Sequence, residues 1–183
     1  MSTLPDDELE RLWERHTELE FATKDAAATV ATMTPDPHVN HVPVLTGGRS
    51  PEEMIAFYGK HFIPKMPADT ALRPLTRTVG NGRVIDEFVF CFTHDVEMDW
   101  MLPGVAPTHR PVEIPMVAVV QFEGDKVASE HIYWDQASVL VQLGLLEPQG
   151  LPVSGVEQAR RFEDPQLPPN ELMGEAWQPP GQI

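Results

Sequence analysis

Histidines and tyrosines next to carboxylates in apolar surroundings are the groups of this chain best able to move protons. A histidine titrates near neutral pH, and burial lifts a carboxylate toward the same range. The densest stretch of this kind runs from Glu130 to Asp135, with His131, Ile132, Tyr133 and Trp134 between them. Strand alternation places His131, Tyr133 and Asp135 on one face. Two readings stand for each end of that row. His131 is a proton carrier or a satisfied core histidine. Asp135 is its partner or the cap of a helix beginning at Gln136.

A second stretch, Val84 to Asp95, carries Glu87 in an otherwise apolar strand. A carboxylate there needs an ion pair, a hydrogen bond or a proton. It is either paired with Arg77 or Arg73 across a hairpin, or an acid of raised pKa. Phe88, Phe90, Phe92 and His94 share one face of this strand; Glu87, Val89, Cys91 and Thr93 share the other. Both faces are largely apolar, as in a central strand covered on both sides. Asp95, Glu97 and Asp99 alternate as a solvated rim, and Cys91 reads as an inert core thiol. His16, His61 and His109 read as helix-face or loop residues. No Gly-x-Ser-x-Gly elbow, phosphate loop or dinucleotide fingerprint occurs, so no organic cofactor is expected.

The elements that must position these groups follow from periodicity. Residues 5–21 predict a helix: Pro5 suits a first turn, and Leu9, Leu12, Trp13, His16 and Leu19 form one stripe. A second helical stretch starts after Thr23, a fair N-cap, runs through Asp25 and the Ala-rich segment to about Met33, and stops at Thr34-Pro35-Asp36-Pro37. Val39 to Leu45 predicts a short strand closed by Thr46-Gly47-Gly48. Ser50 caps a third helix with Glu53 in capping-box position, and Met54, Ile55, Tyr58 and Phe62 form its apolar face. Strands are expected over 71–79 and 83–100 around the Gly80-Asn81-Gly82 turn, then over 112–122 and 127–135. Residues 136–146 predict a closing helix. Helices first and an antiparallel meander afterwards argue an α+β fold.

The 183 residues suit one domain. It is expected over 1–147, with a proline-rich extended tail over 148–183 that contains one short helix near Ser154-Gly155-Val156-Glu157. A net charge of −15, from 13 Lys and Arg against 28 Asp and Glu, repels phosphate backbones and anionic lipid, so no nucleic acid is expected as a partner. The longest apolar run, Ile114 to Val120, falls short of a membrane span, and Met1 to Leu9 lacks an apolar signal region. With the single cysteine, this points to a cytoplasmic protein.

Three stretches in this order carry a resemblance. They are Lys24-Asp25 through Thr34-Pro35-Asp36 to Thr46-Gly47-Gly48 with the following Phe57-Tyr58; Asp125-Lys126-Val127 leading into Glu130-His131; and Asp135 followed by Leu140-Val141-Gln142-Leu143-Gly144. Together they resemble the nuclear transport factor 2-like superfamily and, within it, the SnoaL-like polyketide cyclases. The resemblance implies a cone-shaped, curved antiparallel sheet packed against the three N-terminal helices, one deep pocket between them, and a homodimer. It also implies that the face bearing His131 and Tyr133 lines that pocket, with Val117, Val119 and Gln121 on the neighbouring strand. The chain departs from those cyclases: where they read Glu-His-Trp-Asp, this chain has Glu130-His131-Ile132-Tyr133, and a pocket histidine of theirs falls near Val119. Their aldol-type machinery is therefore not preserved.

These readings converge on a small-molecule enzyme for a hydrophobic substrate, an isomerase, dehydratase, cyclase or lactone hydrolase without organic cofactor. His131 or His94 would move the proton, Glu87 or Asp135 would orient it, and Tyr133 would donate to a developing oxyanion. His41 would reach the pocket mouth. Tyr58, Phe62, Phe92, Trp100, Val119 and Gln121 are the expected substrate contacts. A non-catalytic binding protein for a hydrophobic ligand or partner chain is one alternative. The other is a metalloenzyme using His41, His94 and His131. His38 and His41 point to opposite strand faces and do not chelate together, and the spacing demands no metal.

Overall fold

The computed structural model describes residues 4–168 and 172–173. Helix α1 (Asp6–Glu18) starts behind Pro5, carries three acidic residues in its first turn, and buries Leu9, Trp13 and His16 along one stripe. It widens into a π turn over Leu19–Thr23 that ends on Lys24 in the left-handed region. Asp25, rather than Thr23, then caps α2 (Ala26–Ala31) by accepting from the Ala28 N–H at 3.0 Å, because Thr23 is still inside the π turn. Helix α3 (Pro51–Ala56) is capped as its sequence predicts: Ser50 accepts from the Glu53 N–H, and Glu53 accepts from the Arg49 N–H. It too runs into a π turn, over Phe57–Phe62.

Six strands form one curved, unclosed sheet in the order β2-β1-β6-β5-β4-β3. They are β1 (Met33–His41), β2 (Thr46–Gly48), β3 (Ala71–Gly80), β4 (Arg83–Thr93), β5 (Pro111–Glu123) and β6 (Lys126–Trp134). The meander β3 to β6 is antiparallel throughout, whereas β1 joins β6 in parallel. The sheet is therefore mixed rather than purely antiparallel. The expected stop at residues 34–37 is instead part of β1. Its ladder to β6 is broken between Met33 and His38, so Pro35 and Pro37 occupy positions where no backbone donor is needed. Strand β4 ends at Thr93, not near Trp100. Beyond it the chain turns back on itself, with the Met101 and Leu102 N–H groups on the Met98 carbonyl, and Met98, Trp100, Met101 and Leu102 are buried.

Helix α4 (Gln136–Gln142) follows β6 directly, and α5 (Glu157–Glu163) packs back against β5, burying Ala159. The expected tail thus contains its short helix. Its last part, 169–171 and 174–183, lies outside the described residues. The core sits between α1, α3 with its π turn, and the concave face of the sheet, where Leu9, Trp13, Met54, Phe57, Tyr58, Phe90, Met116, Ala118 and Val120 meet.

Gly47 is the tightest backbone point in this arrangement. It has φ +133, and a Cβ there would run into the Val39 carbonyl of the paired strand. Gly47→Ala is expected to lower stability by about 2 kcal/mol or more, read from the urea unfolding midpoint, because strain and collision add. An unchanged midpoint would refute the tight approach of β2 to β1.

Candidate functional site

A bulge decides which side chains the sheet turns inward. Strand β6 places Val127 opposite Phe122 but Ser129 opposite Gln121, so Ala128 is an extra residue. Strict alternation from the buried Val127 would carry His131 and Tyr133 inward. The bulge flips the remainder of the strand, and Glu130, Ile132 and Trp134 face the helices instead. Their partners on β5, Val120, Ala118 and Met116, share that inner face.

Between the helices and this face lies a cavity of about 500 Å³. Its walls are Phe57, Phe62, Phe88, Phe90, Trp100 and Met116, and Glu20, Tyr58, Glu130 and His41 also line it. Glu10, Arg77, Asp86 and Glu87 line it as well, where α1 meets β3 and β4. Arg77 holds Asp86 through two hydrogen bonds of 2.6 and 2.8 Å and also meets Glu10 and Glu14 at 3.3 Å, while the Trp13 indole N–H donates to Asp86 at 2.6 Å. These bonds clamp α1 to the β3–β4 hairpin.

Behind the cavity wall stands His16, fully buried. Its Nε2 lies 3.2 Å from Glu20 Oε1 and 3.1 Å from Glu130 Oε1. Its Nδ1 lies 2.5 Å from the Thr32 hydroxyl, whose own proton goes to the Thr29 carbonyl at 2.6 Å. That hydroxyl therefore meets the ring with a lone pair, and Nδ1 carries a hydrogen. Tyr58 donates its hydroxyl to Glu130 Oε1 at 3.3 Å. Burial alone would lower the His16 pKa; the adjacent Glu130 and Glu20 carboxyls outweigh it and carry it up to about 10. Burial pushes the Glu20 carboxyl up against the opposing pull of His16, and burial beside both carboxylates pushes the Tyr58 hydroxyl up. One imidazolium and one carboxylate balance each other; a second ionised carboxylate would leave an uncompensated buried charge. Burial thus favours the protonated form of Glu20.

His41 is set differently. It sits among Phe57, Phe62, Trp100 and Trp134, with ring centroids 5.2 to 5.8 Å away. Thr46 donates to the Trp100 carbonyl at 2.6 Å and so meets His41 Nδ1, 3.1 Å away, with a lone pair. Burial lowers the His41 pKa to about 4, and Glu130 only partly offsets it. His41 is a neutral imidazole with its hydrogen on Nδ1.

The residues singled out from sequence scatter around this centre. His41, Tyr58, Phe62 and Trp100 line the cavity. His131 and Tyr133 lie on the outer face; Tyr133 is 43% exposed, and His131 packs edge-on against His38 at 5.3 Å. Val119 and Gln121 share that outer register, and Gln121 is tied to the Gly82 carbonyl. The expected pocket face is thus reversed, and Met116 and Ala118 take the places foreseen for Val117 and Val119. Asp135 caps α4 through the Ala137 and Ser138 N–H groups and accepts from Gln158. Glu87 accepts from Thr76 at 2.6 Å rather than from an arginine; Arg73 is engaged by Glu113 and Glu163. His94 is buried beyond the end of β4, where its Nδ1 accepts from the Thr108 N–H, and Phe92 is buried in the core. None of His131, Tyr133, Asp135, Glu87 and His94 meets another of that group.

His16, Glu20 and Glu130 are not among the site residues the sequence predicts: His16 reads there as part of a helical stripe and Glu130 as part of the family resemblance. A signal was present: a histidine and a glutamate four residues apart, close to an apolar helical stripe, can converge on one partner. The π turns sharpen that convergence, since Glu20 and Tyr58 each sit in one. Nitrogen and carboxylate oxygens of His16, Glu20 and Glu130 lie within 4.8 Å of one another, which makes them the set able to hold a metal ion among the described residues.

No family profile and no curated protein matches the sequence. Solved structures do match. An NTF2-like protein of unknown function from Burkholderia pseudomallei shares 18% identity at a TM-score of 0.58, covering 78% of this chain and 98% of that one. A protein assigned as a SnoaL-like polyketide cyclase from Jannaschia sp. shares 17% at 0.59, covering 80% and 99%. The epoxide hydrolase/cyclase-like enzyme SalBIII, described as acting in pyran ring formation in salinomycin, shares 12% at 0.53, covering 70% and 92%. These likenesses show the NTF2-like fold, as the sequence resemblance implied.

His41 gives the site an acid sensitivity. Its folded pKa of about 4 lies below the ordinary value of 6.5, so between these pH values the unfolded chain binds more protons. Its contribution is full above pH 6.5 and is lost as pH falls toward 4, on the order of 3 kcal/mol. His16 runs the other way, its contribution being lost as pH rises from 6.5 toward 10. Urea unfolding at pH 7 and pH 4 should show wild type losing stability on acidification relative to His41→Phe. An equal difference at both pH values would contradict a neutral buried His41.

Proposed function

We propose that this protein is a small-molecule enzyme that carries out general acid/base chemistry on a hydrophobic substrate in the aromatic cavity. The observation that carries the reading is the placement of two buried carboxyl groups, Glu20 and Glu130, in the lining of an otherwise largely apolar cavity of about 500 Å³. A cavity of that size holds a small organic molecule, and a water-poor wall strengthens every charge interaction in it.

Two carboxyl groups in different protonation states make an acid and a base. Glu130, with His16 and Tyr58 against Oε1, is the carboxylate that accepts a proton from the substrate. Glu20 is the neutral acid that returns one to a developing oxyanion. His16 is a positioning residue: it sits behind both carboxyls, and Thr32 holds its ring. Net proton movement from one carbon or oxygen to another is the step common to isomerisation, dehydration, epoxide opening and cyclisation. The SnoaL-like and epoxide hydrolase/cyclase-like enzymes among the structural neighbours support this range. Arg77 is engaged by three acidic residues, so the cavity has no free cation of its own among the described residues to anchor an anionic substrate.

The test is solvent exchange. A panel of apolar cyclic ketones and epoxides is incubated with the protein in deuterated buffer and read by mass spectrometry for deuterium uptake or ring opening. Glu130→Gln should lower the rate of any accepted compound by about 10²- to 10⁴-fold, whereas His131→Ala, altered on the outer face, should keep it. Equal loss in both variants, or full activity in Glu130→Gln, would refute the assignment.

A further inference from the structure

We propose that His16 Nε2, Glu20 and Glu130 also form a binding site for one divalent transition-metal ion, reached through the cavity. The inference goes beyond the acid/base reading and stands apart from it: with the ion bound, Glu20 and Glu130 are ligands, so that reading describes the metal-free cavity.

Three features carry it. The first is the spacing of the donor atoms. A metal bound at about 2.0–2.1 Å from nitrogen and 2.0–2.2 Å from oxygen separates neighbouring ligands by about 2.9 Å at a right angle and about 3.4 Å at a tetrahedral angle. His16 Nε2 stands 3.2 Å from Glu20 Oε1 and 3.1 Å from Glu130 Oε1, between those limits. Yet this buried nitrogen has no well-aligned hydrogen bond, because both oxygens lie off its axis. Atoms so arranged flank a common point rather than aim at one another.

The second feature is the support of the ligands. A metal-binding imidazole has its other nitrogen held by a hydrogen bond that fixes the tautomer. Thr32 does this at His16 Nδ1, which leaves Nε2 for the ion. Tyr58 in turn donates to Glu130. The third feature is charge. Two carboxylates and a neutral imidazole bring −2 into a buried site, and a divalent ion cancels it. The ion takes the place of two protons, one on His16 Nε2 and one on Glu20. One imidazole with two carboxylates suits zinc, manganese, iron(II) or cobalt(II). Because Glu20 and Glu130 line the cavity, the remaining coordination positions would be open to a ligand there.

The experiment uses the full chain stripped with a chelator and then dialysed. Cobalt(II) is titrated and followed by its visible absorption, and zinc(II) by calorimetry. The expected result is one ion per chain with a Kd of micromolar or below. Glu130→Gln should weaken it at least 100-fold, and Thr32→Val, which leaves all three ligands in place, about 10- to 100-fold. Circular dichroism checks that each variant is folded, and His16→Gln serves if Glu130→Gln is not. His38→Ala, which removes a ring of the half-buried His38–His131 pair on the outer face, should leave binding unchanged. Absence of saturable binding, binding that survives both ligand variants, or binding lost in His38→Ala would overturn the proposal.

Discussion

An ionisable group in an apolar interior must find its counter-charge within a few ångströms, and His16 does so between Glu20 and Glu130. That single contact joins four parts of the molecule. The imidazole comes from α1, one carboxyl from the π turn after it, the other from β6, and Thr32 at the end of α2 holds the ring from behind. Removing any one member would leave a buried charge or donor without an answer. The relative placement of the leading helices and the last strand is thereby tied to the chemistry of the cavity wall.

The cavity itself follows from two local irregularities. The bulge at Ala128 turns Glu130 inward and His131 outward within one strand. The π turns at Leu19–Thr23 and Phe57–Phe62 bring Glu20 and Tyr58 to the same wall. Each interrupts a regular ladder and costs backbone hydrogen-bond geometry; the buried network offsets that cost. Around it, aromatic rings keep the dielectric low, which is why His41 stays neutral while His16, a short way off on another element, stays charged.

The NTF2-like fold hosts many activities, so the function has to be argued from the wall and not from the scaffold. What distinguishes this wall is the pairing of two carboxyl groups with a shared imidazole. The strand position that resembles the cyclase motif faces outward as Tyr133, and the carboxyl that β6 turns inward is Glu130, three residues earlier.

Helix order, caps and the hairpin meander were legible in the residues themselves. Pro5, Ser50 with Glu53, and Gly80-Asn81-Gly82 act through local backbone chemistry that any three or four neighbours reveal. The cap role of Asp135 was legible for the same reason. The face of β6 was not, because a one-residue bulge reverses every side chain beyond it and depends on the partner strand. Nor was the parallel pairing of β1, which joins residues about 90 positions apart. The meeting of His16, Glu20 and Glu130 belongs to the same class: each is an ordinary residue in its own segment, and only the packing of α1 on the sheet removes the water that would keep them ordinary.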